Sequence, residues 1–144
     1  MISIDTSEID KFVIDLKEAS EEIRSDVQKV LVSSGFNIEA RAKRNISSNG
    51  SVKTGHLIRG ITTDVGNMEV TVHTSNIKYA PMVEYGTRSH IIKPKNKKAL
   101  YWKGAKHPVK SVRHPGSKAK PYLMPAFENT KDNFINDLKE VIEW

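Results

Sequence analysis

Three histidines, His90, His107 and His114, fall close together in the chain, a density that raises the question of a metal site. The usual companions of such a site are missing. Between Glu84 and Glu128 there is no Asp or Glu, and the chain has no cysteine, so zinc–thiolate and thiol chemistry are excluded. His107 and His114 each precede a proline, which suits turns better than a rigid ligand array. Glu84 borders this region and is a formal candidate for a general base. It has no second acid and no nucleophile beside it in sequence, so it reads as an ion-pair partner for a nearby Lys or Arg. Gly55 and Gly60 have a phosphate-loop spacing but lack the Lys-Ser or Lys-Thr that must follow. The residues therefore point to no catalytic centre, no metal and no cofactor.

What the region does carry is charge. The stretch between Glu84 and Glu128 holds eleven Lys and Arg, while the rest of the chain has 12 against 17 Asp and Glu, a balance of −5. Such a stretch must face water, an anion or an acidic partner, not a core. Three readings follow. It binds nucleic acid through phosphates, with Tyr101 and Trp102 as stacking surfaces. It docks on an acidic protein surface. Or it is a solvated hairpin whose lysines keep a sheet edge from aggregating. The docking candidates are Arg88, Lys93, Lys95, Lys97, Lys98, Trp102, Lys103, Lys106, Lys110 and Arg113.

With 144 residues, 38% of them hydrophobic, the chain suits a single domain with one modest core. No run approaches the roughly 20 apolar residues of a membrane span. The start, MISIDTSEID, lacks the basic and apolar regions of a signal peptide, so the expectation is a protein made and kept in a cytoplasm.

The elements that position the basic stretch can be read from periodicity. Residues 7–46 carry apolar side chains at helical spacing, from Ile9, Phe12, Val13 and Leu16 to Ile38, Ala42 and Ile46. Ser7 is placed to cap this helix, and Gly35 is placed to bend or break it. The apolar stripe serves as core or packs across a neighbouring subunit. Residues 45–54 form a polar loop. Residues 61–65 and 68–74 alternate as two strands around Gly66-Asn67, with Val70 and Val72 on one face. Residues 79–85 suit one helical turn with Pro81 near its start, ended by Gly86. Residues 91–93 and 99–102 read as a second strand pair around a turn at 94–98. Residues 103–120 read as basic loop. Pro121 opens a last helix with Leu123, Phe127, Thr130, Phe134, Leu138 and Val141 or Ile142 on one face. The expected fold is α+β. A long N-terminal helix and a C-terminal helix pack on a small antiparallel sheet with an extended basic hairpin or loop. The single domain 1–144 divides into a helical region 1–46, a sheet with its basic hairpin 55–112, and a turn with the last helix 113–144.

Four segments in this order resemble the tail-completion, or head–tail joining, family of long-tailed phages (siphoviruses). They are TGHLIRGI (54–61), YAPMVEYGT (79–87), HIIKPKNKKALYW (90–102) and HPGSKAKPYLMPAFE (114–128). Their structural positions are Gly55 and Leu57 entering the sheet, Tyr79, Glu84, Tyr85 and Gly86 around the short turn, and Pro115, Gly116 and Pro121 before the last helix. Tyr79, Val83 and Tyr85 are expected to anchor that turn, and Pro115-Gly116 suits the centre of a type II turn. The resemblance implies a non-enzymatic assembly protein of the virion neck, put together in the host cytoplasm. It implies a homo-oligomeric ring, commonly a hexamer, between a portal-side head connector and a tail terminator or tail tube. DNA would pass through such a ring. The anionic partner of the basic segment is then a sister subunit, the connector or the passing genome; the alternative function is a nucleic-acid-binding protein using residues 88–120.

Overall fold

A computed structural model describes residues 19–51 and 55–142. The first helix among the described residues, α1 (Glu21–Ser48), begins after Ser20, and residues 7–18 of the expected stripe lie outside the described residues. Ser20 sits in extended backbone at φ −61° and ψ 157°, and its hydroxyl accepts from the Ile23 N–H at 3.4 Å. Glu21 and Glu22 then occupy the positive end of the helix dipole. The proposed cap at Ser7 lies outside the described residues.

Gly35 does not break α1. It lets the helix press onto a hairpin, β1 (Ile61–Val65) and β2 (Val70–Thr74). A Cβ at Gly35 would collide with Val70 Cγ1 and lie 3.0 Å from Thr63 Cγ2. Beside this contact the Thr63 hydroxyl donates to Glu39 Oε2 at 2.5 Å, and Lys43 Nζ donates to Glu39 Oε1 at 2.5 Å. The Lys43 bond first, and the Thr63 bond second, hold the Glu39 carboxyl below its ordinary 4.5.

The two strands are built from β-branched residues and pair antiparallel from Ile61↔Thr74 to Val65↔Val70. Val70 and Val72 share the helix-facing side, as the alternation requires. The turn is longer than Gly66-Asn67. Gly66 N–H bonds to Glu69 O at 2.8 Å, and Met68 takes a positive φ of 57°. The cause is Gln28 on α1. Its side-chain oxygen accepts from Met68 N–H at 2.7 Å, while its amide donates to Gly66 O at 2.9 Å. A tertiary bond thus takes Met68 out of the strand.

A single turn, α2 (His56–Gly60), precedes β1, and Gly55 before it has φ 71°. The short helix α3 (Ala80–Tyr85) follows β2 and carries Pro81 in its first turn. The last helix, α4 (Leu123–Ile142), begins beside the end of α1 and packs along it. Asn45 donates to Tyr122 O at 2.9 Å and Asn49 to Lys120 O at 3.2 Å. The core joins Ala42 and Ile46 of α1, Leu57, Ile61, Ala80, Tyr122 and Ala126. Fully burying Ile46 and Ile61 stabilises the fold by about 1.5–3 kcal/mol each. Ala42 and Ala126, both fully covered, keep the two long helices close. The sequence-based face of α4 holds at Leu123, Thr130, Phe134, Leu138 and Val141, but Phe127 is 48% exposed and turns away from α1.

Replacing Gly35 is expected to separate helix from hairpin. Gly35→Val should lower unfolding free energy by about 1–3 kcal/mol in a urea titration, because the over-packed contact outweighs any gain in helix propensity. An unchanged midpoint would mean that this contact yields freely.

Candidate functional site

From Thr87 to Ser117 the chain forms a second, separate antiparallel ribbon. Its regular part is β3 (His90–Ile92) paired with β4 (Val112–His114), in register His90↔His114, Ile91↔Arg113 and Ile92↔Val112. Bridges at Thr87↔Ser117 and Leu100↔Val109 extend the ribbon at both ends. This corrects two sequence expectations. Residues 99–102 are not the partner of β3, and 103–120 is not simply loop. Pro94, which has no N–H, and the lysines from Lys93 to Lys98 do not close a tight turn. The chain runs on to Trp102 and reverses there. Ala105 N–H bonds to Trp102 O at 2.9 Å across Lys103 and Gly104, with Gly104 at φ 98°.

The base of this arm is built by two glycines. Gly86 ends α3 at φ 73°, and a Cβ there would stand 2.6 Å from Ser117 O and 2.7 Å from Ala119 N. Gly116 has φ 89°, and a Cβ there would strike the Thr87 carbonyl. Pro115-Gly116 does not reverse the chain; Ser117 continues the pairing with Thr87 at 2.9 and 3.1 Å. The glycines serve close backbone packing at the arm's root.

Glu84 is the residue whose role the sequence did not show. It is 7% exposed and forms no ion pair among the described residues. Its Oε2 accepts from the N–H groups of Tyr122 at 2.8 Å and Leu123 at 3.0 Å, and Oε1 from Met124 at 2.9 Å. It is therefore the cap of α4, supplied from 38 or more residues away, and not a salt-bridge partner or base. The nearest available clue was Pro121, which opens α4 without a Ser, Thr, Asp or Asn beside it to cap the helix. Tyr122, positioned by this cap, is buried and shares a 3.0 Å hydroxyl bond with Thr74. Burial pushes its phenol above the ordinary 10.0. Lys120 N–H also bonds to Val83 O at 2.8 Å, closing the arm's return strand onto α3. Within α3, Val83 packs against the core as expected. Tyr79 and Tyr85 do not anchor the turn; they are 45% and 74% exposed.

The docking candidates all lie on the arm. Arg88, Lys93, Lys95, Lys97, Lys98, Lys103, Lys106, Lys110 and Arg113 are exposed, and none forms an ion pair among the described residues. Trp102 is exposed with Tyr101, Ile91 and Ile92. The arm thus presents cations beside uncovered apolar and aromatic groups. His90 and His114 stack at 5.1 Å as cross-strand partners. His90 Nδ1 donates to Arg88 O at 3.0 Å, and His114 Nδ1 accepts from Gly116 N–H at 3.0 Å. Among the described residues no three His, Asp or Glu converge as metal ligands.

The described chain is thus a small helix-backed body with a long basic arm. Over residues 10–86 the chain matches the family described as "Bacteriophage HK97-gp10, putative tail-component", and it belongs to that family. It is accordingly a non-enzymatic structural protein of a bacteriophage tail or head–tail assembly, associated with the virion. No curated protein and no solved structure matches it. The matched region spans α1 to the end of α3 and includes TGHLIRGI and nearly all of YAPMVEYGT. The arm and α4 lie beyond it.

Removing the Glu84 carboxylate leaves three backbone donors without their acceptor. Glu84→Ala should cost about 2–4 kcal/mol in chemical denaturation, and Glu84→Gln, which keeps an acceptor but loses the charge, should cost less. Equal, negligible losses for both would remove Glu84 from this role.

Proposed function

We propose that this protein completes the tail by joining head to tail. In this reading it forms a closed homo-oligomeric ring at the neck, between portal-side connector proteins and a tail terminator or tail tube. The arm from Arg88 to Lys120 docks on an acidic surface of a sister subunit or of the connector. The observation that carries the reading is the arm itself. Its eleven exposed Lys and Arg have no acidic partner among the described residues. Opposite-charge docking accelerates encounter and fixes register. The remaining sequence, at −5, supplies the complementary sign on another copy. A closed ring needs such unlike surfaces on one protomer, meeting head to tail.

The exposed Ile91 and Ile92 favour a protein partner over nucleic acid. A phosphate backbone has no use for exposed apolar side chains, whereas a protein interface does.

Combined Lys95→Glu, Lys97→Glu and Lys98→Glu should leave folding stability within about 0.5 kcal/mol of the parent, since all three side chains are exposed. Phage carrying the triple variant should accumulate filled heads and complete tails that do not join, visible by electron microscopy. Normal joining would overturn arm docking. Tight duplex binding by the parent, with a log–log salt slope of about −0.9 per phosphate, would favour the nucleic-acid function instead.

A further inference from the structure

Beside α3 the surface opens into a cleft of about 550 Å³, lined by Leu57, Tyr79, Met82 and Val83 together with Lys118 and Lys120. Tyr79 and Met82 are 45% and 54% exposed, so two large apolar side chains stand uncovered at one place. Among the described residues no Asp or Glu lines the cleft, and its charged members are both lysines. A fitting occupant is an apolar segment with acidic flanks. The basic arm has the wrong sign.

One segment of this chain has the right composition. Residues 8–18, EIDKFVIDLKE, place Ile9, Phe12, Val13 and Leu16 at helical spacing. Glu8, Asp10, Asp15 and Glu18 outnumber Lys11 and Lys17. Reach decides whose cleft it fills. Ile46, another residue lining the cleft, is 25 residues beyond Glu21 on one continuous helix, a rise of about 38 Å at roughly 1.5 Å per residue. From Ala19 back to Phe12 is seven residues, at most about 25 Å of fully extended chain. Phe12, Val13 and Leu16 fall short of their own cleft, and Ile9 would approach it only on a taut chain.

We propose that residues 8–18 of a second copy occupy this cleft, with Phe12 and its apolar neighbours against Tyr79 and Met82 and the acidic flanks against Lys118 and Lys120. The contact is heterologous: a segment at one end of α1 meets a cleft at the other end in the next copy. Repeated, it builds a ring or a filament. It requires self-association, as the proposed ring does, and shares Lys118 and Lys120 with the arm's root, but it uses none of the residues of the arm tip.

The absence of cysteine makes the test direct. Full-length protein carrying Phe12→Cys is mixed with differently tagged full-length protein carrying Met82→Cys, and the mixture is oxidised. A disulfide-linked heterodimer is expected, in excess over the pairing of Phe12→Cys with the exposed control Asp137→Cys. Adding Lys118→Glu and Lys120→Glu to the Met82→Cys chain should abolish the excess. Lys95→Glu, Lys97→Glu and Lys98→Glu should leave it intact, so failure of arm docking and failure of this contact are read separately. No heterodimer above the control overturns the proposal. So does a chain carrying both cysteines that closes only an intramolecular disulfide.

Discussion

Much of the molecule hangs on one buried carboxylate. Glu84 accepts three backbone N–H groups at the start of α4, at 2.8, 3.0 and 2.9 Å. A buried carboxylate without a cation would ordinarily be costly. Here, charge-assisted bonds and the positive end of a 20-residue helix offset that cost. The consequences spread in both directions. Toward the body, the cap seats Tyr122 in the core between Thr74 and Asn45 and so starts α4 along α1. Toward the surface, Glu84 stands two residues before Gly86, where the arm leaves, while Tyr122 follows Lys120, where the arm returns. One side chain therefore ties the arm's root to the helix pair.

This arrangement separates two jobs. The body is held by close contacts between small or shape-matched residues: Gly35 against Val70, Ala42 and Ala126 between the helices, Ile46 and Ile61 in the centre. The arm buries little. It is a two-stranded ribbon whose strands are three residues each, with Tyr101 and Trp102 exposed near the reversal. A two-stranded ribbon this small is marginally stable by itself. Membership of a phage tail-component family gives that division a biological setting.

The sequence shows the local parts well. The β-branched alternation at 61–65 and 70–74, the Pro81-to-Gly86 turn and the apolar stripe of α4 each follow from spacing that a single segment contains. It hides what two distant segments decide. The Glu84 cap joins residues 38 to 40 positions apart. Gly35 resembles a helix breaker until Val70 is placed over it. The strand partner of β3 was missed because Val112-Arg113-His114 is short and charged, whereas Leu100-Tyr101-Trp102 has the stronger strand character. Met68 left its strand because Gln28, on another element, holds the turn. The basic stretch was legible from charge alone, but its form as a paired arm was not.

Glu84 organises the junction of body and arm. Amide hydrogen exchange tests it most directly, read at Tyr122, Leu123 and Met124. These three N–H groups head a helix and would exchange quickly if only water met them. Protection comparable to the interior of α4 is expected at neutral pH. In Glu84→Ala that protection should vanish together with protection of the Thr87 and Ser117 amides at the arm's root. Rapid exchange of the three amides in the parent protein, or undisturbed protection in the variant, would contradict it.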